Sequence, residues 1–186
     1  MAVLADLYFV TGGVRSGKSA FAERLISSFA GESVTYLATL SASDDEMVRR
    51  IARHKAARPK GWVTVEEAFD LSGVIASIRT KGILLDCLSG WVSNLIIRHE
   101  HLGEEALTDQ ILPELENLLV TIRETNAVTV IVSNEVGSGV VPPYPLGRYF
   151  RDALGLANQQ VAASAIGVAL CTVGIAQPLK GTFPDV

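Results

Sequence analysis

Two groups of residues in this 186-residue chain have the types and spacing for phosphate chemistry. The first is Gly12, four residues, then Gly17-Lys18-Ser19, within "VTGGVRSGKSAF". Glycines so spaced let the backbone curl until successive N–H groups point inward at phosphate oxygens. A helix N-terminus behind them adds partial positive charge. Lys18 then reaches the β- and γ-phosphates, and the Ser19 hydroxyl is placed to ligate Mg2+. The second group lies in "VRRIARHKAARPKGW", where His54 stands among Arg49, Arg50, Arg53, Lys55 and Arg58.

A spacing of four puts Arg50, His54 and Arg58 on one face of a helix. Flanking cations disfavour the imidazolium, so the histidine pKa falls and a neutral, nucleophilic ring results. The guanidinium groups hold phosphate oxygens in bidentate fashion. Nucleotidyl transfer through a histidine–phosphate adduct is then chemically feasible. Taken on spacing alone, a solvated basic face that contains a histidine is the weightier reading.

Further acids and cations stand where a ligand edge would be. In "GILLDCLSG" an aliphatic run ends at Asp86, the arrangement in which a strand-end carboxylate helps to hold Mg2+ beside a phosphate loop. Glu66 and Glu67 end another apolar run. A carboxylate there accepts hydrogen bonds from the guanine N1–H and 2-amino group, which adenine lacks; Glu66 is the candidate guanine or ribose contact, with a solvated strand end as the alternative. Asn134 and Glu135 follow a buried run and suit either a substrate hydroxyl or the capping of a loop. Arg148 and Arg151 follow the proline-rich loop "SGVVPPYPLG" (138–147) and suit substrate or a neighbouring subunit. His99 and His101 read as surface residues near a helix end, and Trp62 and Trp91 as core or subunit contacts.

The elements that position these groups are legible as alternating patterns. "LYFV" (7–10), "VTYLAT" (34–39), "WVTVEE" (62–67), "GILLDC" (82–87), "VTVIVSN" (128–134) and "VALCTVGI" (168–175) read as strands. Helical patterns follow the phosphate loop, where Phe21, Leu25 and Phe29 recur at spacing four and Gly31 caps the end. Others cover 105–125 and about 147–166. "SASDDEMVRRIARHKAARP" reads as a helix too: Ser43 and Glu46 form a capping box, Met47 and Ile51 an apolar stripe, and Pro59 ends it. Strands alternating with helices predict an α/β fold: a mostly parallel sheet with helices on both faces, in a single domain spanning 1–186. Ligands on such sheets bind at the carboxyl ends of the strands.

Composition bounds the partners. The net charge of −4 provides no overall basic field for nucleic acid or an anionic membrane. No run reaches the length of a membrane span, and the N-terminus lacks the pattern of a signal peptide. Cys87 and Cys171 lie in apolar runs without metal-ligand spacing and read as core residues of a reducing compartment. A cytoplasmic location is expected.

Together "TGGVRSGKSAFAE", "YLAT", "DDEMVRRIARHKAARPKGWVTVEE", "LLDCLSGWVSNL" and "VSNEVGSGVVPPYPLGRYFRDALGLANQ" resemble, in order and over nearly the whole chain, the bifunctional adenosylcobinamide kinase/adenosylcobinamide-phosphate guanylyltransferase family of cobalamin biosynthesis. The resemblance implies a P-loop NTPase-type fold in a propeller-like homotrimer. It implies phosphorylation of adenosylcobinamide by a nucleoside triphosphate, ATP or GTP. It then implies transfer of GMP from GTP through a histidine to the cobinamide phosphate, giving adenosylcobinamide-GDP. His54 matches the guanylylated histidine. Gly12, Gly13, Val14, Arg15, Ser16, Gly17, Lys18 and Ser19 fall where the family contacts nucleotide. So do Ala38, Thr39 and Leu40, Lys55, Ala56, Ala57 and Arg58, and Glu66 and Asp86. Some members carry two adjacent histidines where this chain has Arg53-His54. Val14 replaces a usual alanine, and Leu40 stands where a hydroxyl residue is common. Two other readings carry the phosphate loop: a P-loop kinase of a small metabolite with no covalent step, and a nucleotide-driven motor or switch on DNA. The second needs a basic surface or an added binding module, and neither is visible.

Overall fold

The computed structural model describes residues 6–40, 59–102 and 104–186. Seven strands form one sheet: β1 (Leu7–Gly12), β2 (Val34–Ala38), β3 (Val63–Glu66), β4 (Gly82–Asp86), β5 (Val128–Asn134), β6 (Gly167–Thr172) and β7 (Ile175–Lys180). Their order is β3-β2-β4-β5-β1-β6-β7. The first six are parallel, and β7 runs antiparallel on β6. Five helices accompany them among the described residues: α1 (Lys18–Ala30), α2 (Leu71–Ser77), α3 (Leu88–Arg98), α4 (Glu104–Glu124) and α5 (Pro145–Ser164).

The interior strands are apolar because both faces are covered. α1 packs Phe21, Leu25 and Ile26 on one face, against Tyr8, Val10, Tyr36 and Leu84. The other four helices pack on the opposite face around Phe9, Leu37, Leu85, Trp91 and Ile131. The aromatic residues follow the same division. Trp62 belongs to the α1 side and Trp91 to the other, both buried. The expected doubly covered, mostly parallel sheet is therefore present, with one helix on one side and four on the other among the described residues.

Two boundaries differ from the sequence reading. The run 168–175 is not one strand: Val173 and Gly174 both have positive φ, at 48° and 85°, and turn the chain back into β7. Positive φ at two successive residues is the geometry of a tight hairpin turn. The loop read as 138–147 ends earlier, because Pro145 occupies the first turn of α5, where its missing N–H costs nothing. The helix expected over the Ser43–Pro59 segment, with its Arg50–His54–Arg58 face, falls almost wholly outside the described residues.

Candidate functional site

The parallel strands bring their carboxyl ends to one edge, and the register places the singled-out residues along it. Gly12 pairs with Asn134 on one side and Cys171 on the other. Ala38 pairs with both Glu66 and Asp86. Glu66 lies four strand spacings from Gly12, about 19 Å along the edge.

Between β1 and α1 the chain makes the curl that the glycine spacing predicts. Gly17 caps α1 with φ 91°, a conformation that costs a non-glycine residue about 1–2 kcal/mol. Arg15 also has positive φ, at 55°. At Gly12 the constraint is space: a Cβ would sit 2.4 Å from the carbonyl oxygen of Cys171 and 2.7 Å from Ser16 Oγ. The amide of Gly174 donates to the Ser16 carbonyl at 2.9 Å, so the β6–β7 turn braces the loop from behind. Among the described residues no side chain caps the N-terminus of α1, and its first turn holds no acid. Its leading N–H groups are thus left for an anion. Lys18 is half-buried and donates to the Gly13 carbonyl at 3.2 Å. Ser19 beside it is half-buried, whereas Gly13, Val14, Arg15 and Gly17 are exposed. Ser16 Oγ and Thr11 Oγ1 are buried beneath the loop and have no hydrogen-bond partner among the described residues.

Asp86 ends β4 half-buried, and its Oδ2 accepts a hydrogen bond from the Tyr36 hydroxyl at 2.5 Å. Its other oxygen accepts none among the described residues. Cys87 follows, and its sulfur accepts from Ser89 Oγ at 3.0 Å and the Gly90 amide at 3.4 Å, which caps α3. Burial above all, then the neighbouring Asp86 carboxylate, pushes the Cys87 thiol up; the hydrogen bonds from Ser89 and the Gly90 amide, and then the Lys18 ammonium, pull it the other way. Burial likewise raises the Cys171 thiol, against Lys18 and Arg24. Both thiols are free and buried, as the sequence suggests.

The segment Ala38–Leu40 is fixed by bonds unrelated to a ligand. Thr39 Oγ1 donates to the Cys87 carbonyl at 2.7 Å and accepts the Cys87 amide at 3.0 Å. Its side chain is buried and committed, while Leu40 is exposed. Asn94 on α3 donates to the carbonyls of Thr39 and Ala68 at 2.7 and 3.0 Å. It thereby ties the β2 end to the β3–α2 loop. Glu67 is committed as well, since its Oε1 accepts the amides of Phe69 and Asp70 at 2.7 and 3.1 Å. Glu66 is exposed at the strand end.

Just past β5, the Glu135 amide donates to the Gly12 carbonyl and its carboxylate accepts the Gly137 amide at 2.6 Å. That is the loop-capping alternative for Glu135. Asn158 on α5 accepts from Ser133 Oγ at 2.7 Å and donates to the Asn134 carbonyl at 3.1 Å. Arg148 donates to the carbonyls of Pro142 and Pro143, closing the proline loop. His99 is half-buried and His101 exposed. Tyr36, Asn94 and Asn158 escaped the sequence reading; lone polar residues in apolar patterns carry no spacing signal. His54, Lys55, Ala56, Ala57 and Arg58 lie outside the described residues. Among the described residues no cluster of three or more His, Cys, Asp or Glu side chains could hold a metal, and no helix is long and apolar enough to cross a membrane.

Comparison with known proteins places this arrangement. The family model described as cobinamide kinase / cobinamide phosphate guanyltransferase matches residues 8–179. The chain is 39% identical over 182 residues to the bifunctional adenosylcobalamin biosynthesis protein CobU of Escherichia coli K12, covering 94% of this chain and 99% of the relative. It is 39% identical over 174 residues to the corresponding protein CobP of Pseudomonas aeruginosa PAO1, covering 92% and 96%. Among solved structures, the flagellar accessory protein FlaH of Methanocaldococcus jannaschii superposes with a TM-score of 0.50 at 13% identity, over 97% of this chain and 83% of that one. At that identity the likeness concerns the fold alone, and the fold is of the P-loop NTPase type.

Proposed function

This chain belongs to the cobinamide kinase / cobinamide phosphate guanyltransferase family, and from that premise we propose that it transfers GMP through a covalent bond to His54. The coarser activity is that of the family: a bifunctional enzyme of adenosylcobalamin biosynthesis, kinase and guanylyltransferase. In the kinase reaction the acceptor is the hydroxyl of adenosylcobinamide, and ATP or GTP is the donor. In the second reaction an imidazole nitrogen attacks the α-phosphorus of GTP, the P–O bond to the β-phosphate breaks, and pyrophosphate leaves. An oxygen of the cobinamide phosphate then attacks the same phosphorus. The N–P bond breaks, its electron pair returns to the ring, and adenosylcobinamide-GDP is released.

The observation that carries this reading is the strand edge itself. The loop Gly12–Ser19 presents uncapped amides and Lys18 at one end of a row, and Asp86, Ala38 and Glu66 continue the row. A nucleotide with its phosphates on the loop must extend along the edge toward β2 and β3 to meet Glu66. His54 and Lys55–Arg58 are encoded between those two strands, and their Arg–His–Arg spacing supplies the nucleophile and the charge that stabilises it.

Ser19 and Asp86 fit a Mg2+ ion. A hydroxyl and one carboxylate with a free oxygen suffice, because Mg2+ keeps waters and phosphate oxygens as its other ligands. When bound it neutralises charge on the transferring phosphates. Tyr36 orients the Asp86 carboxylate for that role. The enzyme acts in the cytoplasm as a homotrimer, as the family resemblance implies; the free buried thiols fit a reducing compartment. Sedimentation equilibrium tests the assembly.

Incubation with α-labelled GTP and Mg2+ tests the covalent step. The expected result is a protein-bound label that is acid-labile and base-stable, as a phosphoramidate is. A wild-type chain that takes up no label refutes it.

A further inference from the structure

Of the two arginines that open α5, one is spent and one is not. Arg148 holds the proline loop through the carbonyls of Pro142 and Pro143. Arg151 is half-buried, its Nη1 is fully shielded from solvent, and that nitrogen has no hydrogen-bond partner among the described residues. A buried guanidinium nitrogen without an acceptor is costly, and an anion that reaches it on binding would offset that cost.

Its place in the fold says where that anion sits. The Asn158 bonds to Ser133 and Asn134 pin α5 level with the carboxyl end of β5. The helix starts on the ligand side, at Pro145, and runs back until Ile166 bonds Leu7 at the start of β1. Arg151 precedes Asn158 by seven residues, hence two turns on the same face and about 10 Å beyond the strand end. It stands over the ligand edge, on the face of the sheet opposite α1. The triphosphate already has Lys18 and the α1 amides on the other side.

The two acceptors differ in charge. The kinase acceptor offers a neutral hydroxyl, and the guanylyl acceptor a phosphomonoester dianion. We propose that Arg151, over the ligand edge from the α5 side, binds the phosphate of the phosphorylated acceptor and so orients its attacking oxygen for guanylyl transfer. The proposal rests on the two-reaction reading above. Arg151 is a specificity residue for the second reaction and contributes little to the first.

Steady-state assays of both reactions with wild-type enzyme, Arg151→Met and Arg151→Lys test this. In Arg151→Met the KM for the cobinamide phosphate is expected to rise about 30-fold or more, the factor by which a lost charge pair weakens binding at the low end. The KM for unphosphorylated cobinamide and uptake of label from α-labelled GTP are expected to stay near wild type. Arg151→Lys keeps the charge without the planar fork and should fall between. Without ligand, Arg151→Met should melt no lower than wild type, because an apolar stem replaces an unpaired buried charge. Unchanged KM for the cobinamide phosphate in both variants overturns the proposal, and so does an equal rise for both acceptors. Failure of the wild type to take up label refutes the covalent step instead; the KM comparison in product formation still reads Arg151.

Discussion

The Tyr36 hydroxyl donates to Asp86 Oδ2 at 2.5 Å, across the neighbouring strands β2 and β4. Tyr36 pairs in register with Leu84, so Asp86 lies two residues further on and on the same face of the sheet. A buried phenol is spent on aiming one carboxylate at the ligand edge. Replacing Tyr36 by Phe keeps the ring, which packs near Trp62, and removes the hydroxyl that makes the bond. The expected outcome is a Mg2+ requirement about 10-fold higher or more in both reactions, because partners that orient a metal ligand carry that much affinity. Stability should fall by about 1–3 kcal/mol. Mg2+ titration of each activity and urea unfolding read the two effects separately.

Gly12 and Gly13 are adjacent, and their substitutions should behave differently. A Cβ at Gly12 meets a backbone carbonyl at 2.4 Å, whereas one at Gly13 meets nothing within 4 Å. The Cys171 carbonyl belongs to β6 and cannot swing away as a flexible side chain would. Gly12→Ala is therefore expected to move the loop, lower the melting temperature by several degrees and weaken nucleotide binding at least about 10-fold. Gly13→Ala should leave the melting temperature at its wild-type value. Calorimetric scans of the two variants check this contrast.

The strands that build this edge were legible because each is a short apolar run flanked by helical periodicity. The phosphate loop was legible because its chemistry fixes residue types at fixed spacing. β7 was not read as a strand of its own: its sequence is largely exposed and contains Pro178, and the turn at Val173-Gly174 looks like a continuation of β6. α2 is seven residues long and contains Gly73, too short for a helical period to emerge. Within the site, Thr39 and Glu67 looked equivalent to their neighbours in type. Hydrogen bonds commit both to the backbone, Thr39 across the sheet to Cys87 and Glu67 locally to Phe69 and Asp70. The same holds for Arg148 and Arg151, which only packing tells apart.

Asn94 shows what such a hidden residue is worth. Its amide satisfies two carbonyls, of Thr39 and Ala68, in loops that flank the edge. Asn94→Leu is close in volume but strips both carbonyls of their donor. Each orphaned group costs about 1–3 kcal/mol where water cannot replace the bond. A stability loss of roughly 2–4 kcal/mol is expected. Denaturant unfolding measures it, and hydrogen exchange should show the loss of protection concentrated at residues 38–40 and 66–70.

The thiols give a pH dependence with a definite sign. Burial and the Asp86 carboxylate raise Cys87 above its ordinary value of 9.0, and burial raises Cys171. The folded chain therefore holds protons at alkaline pH that the unfolded chain has released. Stability from this source is complete below pH 9, and it declines as pH rises from the unfolded toward the folded pKa. Neither thiol should react with an aromatic disulfide reagent at pH 8 in the native state, and both should react in denaturant. Fast reaction of one thiol in native protein would contradict the burial.

On the proposed mechanism the two reactions share a phosphate loop and only guanylyl transfer uses a histidine, so two substitutions should separate them. If Lys18 serves any triphosphate held on the loop, as proposed, Lys18→Ala slows both reactions by about 10²–10³-fold, the effect of removing one donor to developing charge. His54→Ala removes the nitrogen proposed to carry GMP. Guanylyl transfer and labelling by α-labelled GTP should vanish, while kinase turnover stays largely intact. Parallel rate measurements on both variants decide the point. If His54→Ala loses kinase activity to the same extent as Lys18→Ala, the histidine supports the structure of the edge and the covalent route is excluded.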